Sequence, residues 1–196
     1  MAVIHRQHNI TSEGVTTSES EETVTGVDRA LAALRIVFGF TFLWAFLDKT
    51  FALGFHTGYD QDGVLDRFGD AAWINGGSPT EGFLTFGVPA DNPFKGFFNG
   101  LAGYAVVDWL FMLGLLGIGL TLLLGVGIRI GTAAGALLYA MMYAAVVPLE
   151  NNPIIDDHVV GLIVMVLLGL AAVGTTWGLG GLWRRTELVQ KHPILK

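Results

Sequence analysis

Apolar residues along this chain come in long unbroken runs separated by short charged punctuation. Between Asp108 and Arg129 lie 20 uncharged residues, WLFMLGLLGIGLTLLLGVGI, and between Arg129 and Glu150 lie 20 more. A third run, Val159 to Trp183, is 25 residues long and ends at Arg184-Arg185. A helix that crosses a bilayer needs about 20 mostly apolar residues, so each run predicts a span. The first apolar segment is shorter. Ile36 to Leu47 gives 12 uncharged residues, about 18 Å of helix against roughly 30 Å of hydrocarbon. The chain turns apolar again after Asp48-Lys49-Thr50, with FALGF. This pattern predicts a helix over about 28–54 that carries Asp48 and Lys49 in its last turns. The other spans are expected over about 105–127, 129–149 and 157–178. The fold class expected is therefore all-α, a polytopic membrane four-helix bundle.

Between the first two spans, residues 55–104 form a long loop. Asn75-Gly76-Gly77 marks a turn, and Ser78-Pro79-Thr80-Glu81 reads as a capping box ahead of a short apolar helix, GFLTFGV. Phe94, Phe97, Phe98 and Leu101 recur at helical spacing. They predict an interfacial helix over the bundle mouth, either a lid for a site below or an anchor in the headgroup region. Residues 1–27 are polar and acidic, with TTSESEETVT at their centre, and are expected to be a disordered tail. Residues 186–196 form a second tail.

Composition agrees with the runs. Of 196 residues, 52% are hydrophobic and only 14% charged, too few charges for an ordinary soluble domain. Lys and Arg set an orientation. With both termini cytoplasmic, the inner segments hold eight basic residues, Arg6, Arg29, Arg35, Arg129, Arg184, Arg185, Lys191 and Lys196, against Lys49, Arg67 and Lys95 outside. The expected location is thus a membrane crossed several times, with lipid as the main partner, and nothing in the chain speaks for nucleic acid. Cysteine is absent. Disulfides, covalent haem and thiolate iron–sulfur ligation are excluded, so any redox role uses a bound cofactor or a partner.

In this topology, acidic residues mark the outer end of every span: Asp48, Asp108, Glu150, and Asp156-Asp157. Carboxylates at helix N-termini suit the helix dipole, so Asp108, Asp156 and Asp157 need no function to explain them. Asp48 and Glu150 are expected at C-termini, where the dipole disfavours them, with Lys49 as counter-ion. Phe40, Trp44 and Asp48 share one helix face by i, i+4, i+8 spacing. His158 beside Asp157 suits proton exchange near neutral pH. A metal site from His158, Asp157 and Glu150 lacks a diagnostic spacing, and His56 and His158 are placed too near the surface for a two-histidine haem. The candidate catalytic residues are therefore Asp157, His158, Lys49 and Asp48, and the candidate cofactor-binding residues are Trp44, Asp108 and Glu150. A quinone headgroup is the ligand this chemistry suits: a donor to its carbonyl, a proton route and apolar walls.

LRIVFGFTFLWAFLDK, WINGGSPTEGFL, DWLFMLGLLGIGLTLLLGVGIRI and NPIIDDHVV together make residues 28–185 resemble the DoxX/DoxD family of bacterial and archaeal membrane proteins. The resemblance implies a four-helix membrane bundle in the plasma membrane of a bacterium or archaeon. Its DoxD branch implies the membrane subunit of thiosulfate:quinone oxidoreductase, acting with another protein subunit, and other members imply a respiratory or oxidative-stress role without catalysis. It carries no residue roles onto this chain. An acidic outer end would itself repel a thiosulfate dianion.

Overall fold

A computed structural model describes residues 24–59 and 62–195. Four helices make the body: α1 (Gly26–Phe51), α3 (Ala105–Leu124), α4 (Ile128–Val146) and α5 (Asp157–Ala171). A one-turn helix α2 (Lys95–Asn99) lies in the long loop, and α6 (Gly180–Arg184) and α7 (Glu187–Lys191) follow α5. No β-strand occurs among the described residues, apart from one isolated bridge between Tyr59 and Leu65. α1, α3 and α4 are long and apolar enough to cross a membrane. The expectation of a disordered tail falls, as far as residue 23, outside the described residues.

Each helix starts and stops for a local reason. α1 opens on a capping box, with Thr25 and Asp28 satisfying each other's backbone N–H groups. α3 ends at Gly125, which takes the left-handed conformation (φ 72°) that glycine adopts without steric cost. α4 ends at Val146, just before Pro148, so Glu150 lies beyond the helix rather than at its C-terminus. The dipole reasoning applied to Glu150 therefore falls away. α5 begins at Asp157, with Asp156 as its N-cap. It stops at Ala171, where the uncharged run predicted a span to about 178. Ala172 is left-handed (φ 48°), and residues 172–179 fold back on the bundle instead of continuing the helix.

The helices pack in chain order, α1 on α3, α3 on α4 and α4 on α5, while α1 and α5 barely touch directly. Side chains from all four meet in one core of Phe42, Met112, Leu115, Ile118, Leu122, Ile128, Met165 and Leu168. α1 and α3 cross closely because Gly39 and Gly119 leave room. A Cβ on Gly39 would stand 2.8 Å from the Leu123 nitrogen, and one on Gly119 2.9 Å from that of Leu43. Gly135 does the same for α4 against Met165 of α5, as its spacing with Gly131 suggested. Gly114 and Gly117, by contrast, face open space.

Arg35 closes one end of this layer. Its side chain is fully buried (0% exposed). Nη2 donates to the carbonyls of Thr176 (3.2 Å) and Trp177 (2.9 Å), tying α1 to the segment after α5. The guanidinium packs against Gly125 and Gly178, where any Cβ would overlap Nη1. It therefore lies at the C-terminal pole of α3, where positive charge is favourable. Nε and Nη1 have no hydrogen-bond partner among the described residues. Arg184 adds a second cation at this end, donating to the Ala172 carbonyl (3.1 Å). Trp177 itself is left-handed (φ 52°), a strained state for a bulky residue that persists only where its surroundings fix it. Replacing Arg35 with Met keeps the volume but strands two carbonyls. We expect Arg35→Met to raise hydrogen exchange selectively over 172–179, whatever its effect on global stability. Unchanged exchange there would show that the guanidinium does not hold the segment.

Candidate functional site

At the opposite end, which carries the long loop, the acidic residues divide into three separate arrangements. Asp48 is buried (2% exposed) in the last turn of α1. Its carboxylate accepts from the backbone N–H groups of Phe55 (3.1 Å) and His56 (3.0 Å), closing the chain reversal after the helix. That explains a carboxylate where the dipole disfavours one: two amide donors compensate it. Lys49 is half-buried and forms no ion pair with Asp48 or any other described residue. Trp44 stacks on Phe40 and meets the edge of Phe55, so its aromatic face is taken by its own chain. His56 is exposed in the loop.

Asp108 forms the second arrangement. It is buried in the first turn of α3, and its Oδ1 accepts from Ser78 Oγ (2.9 Å), Thr80 N (3.2 Å) and Thr80 Oγ1 (2.6 Å). Ser78 Oγ also accepts from Glu81 N (3.1 Å), as the capping box predicted, ahead of a helical turn that becomes a π-helix over Phe83–Gly87. Asp108 thus pins the loop to the bundle. Asn92 does the same on α4: its amide donates to the carbonyls of Ala144, Ala145 and Val147, the C-terminal groups of that helix. Asn99 joins α2 to the preceding turn through Leu84 and Thr85. Of the phenylalanine stripe, Phe98 is buried, while Phe94 and Phe97 remain exposed.

The third arrangement gathers Glu150, Asp156, Asp157 and His158. They line a cleft of 480 Å³ with Gly87 and Pro89 of the loop, Val146 at the end of α4 and Pro148 to Asn152 after it. On its far side lies a smaller crevice of 290 Å³, walled by Phe38 and Thr41 of α1, Tyr139 of α4, and Asp157, His158, Val160 and Gly161 of α5. Asp157 and His158 line both. The crevice exists because α1 and α5 do not close on each other. Gly161 shapes it, since a Cβ there would strike the Tyr139 ring.

This site is deeper than the end of the bundle. Facing Phe38 and Thr41, His158 lies about 15 Å short of the end of α1 at Phe51. Its ring is 6.3 Å from that of Tyr139, which stands about 10 Å below the end of α4. The reason is the length of α5, 15 residues against 26 for α1. A short helix joined by a loop that dips inward starts part-way down its neighbours. Hence Asp48, Lys49 and Asp108 do not reach His158, and Trp44 lines neither cavity, although all were expected to converge.

His158 pairs with Asp156, not with Asp157 as its position suggested. Nδ1 and the Asp156 Oδ2 are 2.6 Å apart, with both side chains 22% exposed. Oδ1 of the same carboxylate accepts from the N–H groups of His158 and Val159, both at 3.1 Å. A carboxylate acceptor requires the proton on Nδ1, which leaves Nε2 as the working nitrogen. Nε2 and the Tyr139 hydroxyl have no hydrogen-bond partner among the described residues. Burial alone would raise the Asp156 carboxyl, but the His158 and Val159 hydrogen bonds outweigh it and hold it below its usual range. Sequence reasoning missed Asp156 as the orienting group and Tyr139 altogether. The signals were an Asp two residues before a His at a helix start, and a hydroxyl-bearing aromatic inside an apolar run.

No three His, Asp or Glu side chains come together to hold a metal ion among the described residues. Comparison with protein-family models, with curated proteins and with solved structures gives no match. What the fold and site define is a class: a helical protein with three helices able to span a membrane and an ionisable pair set between an apolar crevice and a polar cleft.

Because the Asp156 carboxyl is depressed in the folded state, its stabilising contribution is complete above the unfolded value, about 3.9, and is lost as pH falls from there through the folded value. Asn can still cap the helix. We therefore expect Asp156→Ala to cost about 1–2 kcal/mol and Asp156→Asn less, with the Asn variant losing less stability than the wild type on acidification below pH 4. Unfolding followed in detergent between pH 3 and 7 reads both effects.

Proposed function

We propose that this protein is a redox-linked membrane subunit of DoxX/DoxD type that binds a quinone headgroup in the crevice between α1, α4 and α5. The observation that supports it is the pairing of two unengaged polar groups, His158 Nε2 and the Tyr139 hydroxyl, with aromatic and aliphatic walls in a crevice of 290 Å³. Ligand sites of this kind combine apolar walls with a few placed polar groups. The residues present fit a quinone. Phe38 and Val160 would flank the ring, and the Tyr139 hydroxyl would donate to a carbonyl oxygen. Asp156 holds the His158 ring so that Nε2 can take or give a proton. A quinone, when bound, supplies two-electron, two-proton redox chemistry. The electron donor would be thiosulfate or another small reductant, reached through the partner subunit that the family resemblance implies. In this reading the loop end faces outward and both termini are cytoplasmic, as the Lys and Arg distribution favours.

A second reading, a non-catalytic subunit or scaffold, rests on Phe86, Phe94 and Phe97 of the loop, which are 86%, 52% and 65% exposed. Both readings meet in one experiment. The protein is purified in lipid nanodiscs, its bound quinone is extracted and quantified, and a short-chain quinone is titrated into it. We expect near-stoichiometric quinone and at least a tenfold weaker affinity in His158→Ala. Absence of bound quinone, together with a stoichiometric protein partner retained in both His158→Ala and Asp48→Asn, would overturn the quinone reading in favour of the scaffold.

A further inference from the structure

The polar cleft behind His158 has no part in holding a quinone, yet it is the larger of the two cavities. It descends from the loop end between Gly87-Pro89 and the chain after α4, and reaches Asp156, Asp157 and His158. The crevice begins on the other side of the same His158 and Asp157. A titratable ring is thus the common wall between a space lined by Glu150, Asn151 and Asn152 and a space lined by Phe38, Tyr139 and Val160. At the other end, the Arg35 guanidinium is bonded to the folded-back 172–179 segment and packs against Gly125 and Gly178.

We infer that the cleft is a proton vestibule, through which His158 exchanges its proton with the aqueous phase at the loop end and with that phase alone. Asp156 keeps the Nδ1 proton in place, so exchange runs through Nε2. The imidazolium gives its Nε2 proton to a vestibule water, leaving neutral imidazole and hydronium, and the reverse step restores it. The ionisable groups facing His158 are Tyr139 from α4, Glu150 and Asp156 from the connecting chain, and Asp157 from α5, whereas α1 presents only Phe38 and Thr41. All three carboxylates line the vestibule and only Asp157 also reaches the crevice, a bias that favours a proton arriving from the vestibule. The inference deepens the quinone reading by giving that site a single side for proton traffic, but its test needs no quinone.

The chain has no cysteine, so a cysteine introduced in the vestibule can be modified alone. Protein labelled with ¹⁵N-histidine is placed in proteoliposomes of one orientation, and the His158 resonance is assigned by its loss in His158→Asn. The pH is then set separately on the two sides. We expect the His158 signal to follow the pH on the loop side. In Asn151→Cys, a bulky thiol reagent applied from that side should slow this response at least tenfold, with Leu149→Cys as the second variant if the first does not fold. A His158 signal that follows the opposite compartment, fails to titrate, or responds as fast with the vestibule plugged would overturn the inference. Failure of quinone binding in the nanodisc experiment would leave this result standing, and the reverse holds equally.

Discussion

The Arg35 guanidinium is fully buried, yet no carboxylate answers it among the described residues. Backbone does that work: two carbonyls beyond α5 accept from Nη2, and the C-terminal pole of α3 lies against it. A buried cation with two unpartnered nitrogens is costly, so a stabilising role alone is a weak account of it. Its position explains more. It links α1 to the chain after α5, while α1 and α5 themselves barely touch. At the arginine end α1 is held to the chain that follows α5, and elsewhere α1 and α5 do not close on each other, so the crevice remains between them.

The crevice would be an unremarkable gap if α5 ran the length of its neighbours. Fifteen residues reach about 22 Å, against about 39 Å for α1. The missing length is taken up by residues 147–156, which carry the chain down from the end of α4. That descent lowers Asp156, Asp157 and His158 to the level of Tyr139 and Thr41. It also opens the vestibule above them. One short helix therefore accounts for the depth of the pair, the polar cleft on one side and the apolar crevice on the other.

Much of this architecture can be read directly from the sequence. Three helices appear where the apolar runs place them, and Asp48-Lys49 does fall in the last turns of α1. Gly131 and Gly135 pack as their spacing implies. The site was legible only in part. His158 stood out as an ionisable group at the mouth of an apolar run, and Glu150 does share its cleft, but Asp48 and Asp108 were grouped with it on the premise that helix ends share one level. Hydropathy gives the length of an apolar run and not its conformation, so it could not show the uncharged run after Val159 breaking at Ala172. Nor could it show that Asp48 and Asp108 spend their oxygens on loop backbone and hydroxyl donors, because those hydrogen bonds join positions up to 30 residues apart.

The depth of His158 is the claim on which the crevice, the vestibule and the proton route all rest, and chemical cross-linking tests it most directly. In this cysteine-free chain, paired cysteines at positions 41 and 160 should be joined by a short thiol-reactive cross-linker, because Thr41 and Val160 line the same crevice. Cysteines at positions 51 and 160 should not be joined, since Phe51 lies about 15 Å further along α1. Efficient linking of the 51–160 pair with none at 41–160 would place the start of α5 level with the end of α1 and contradict the account.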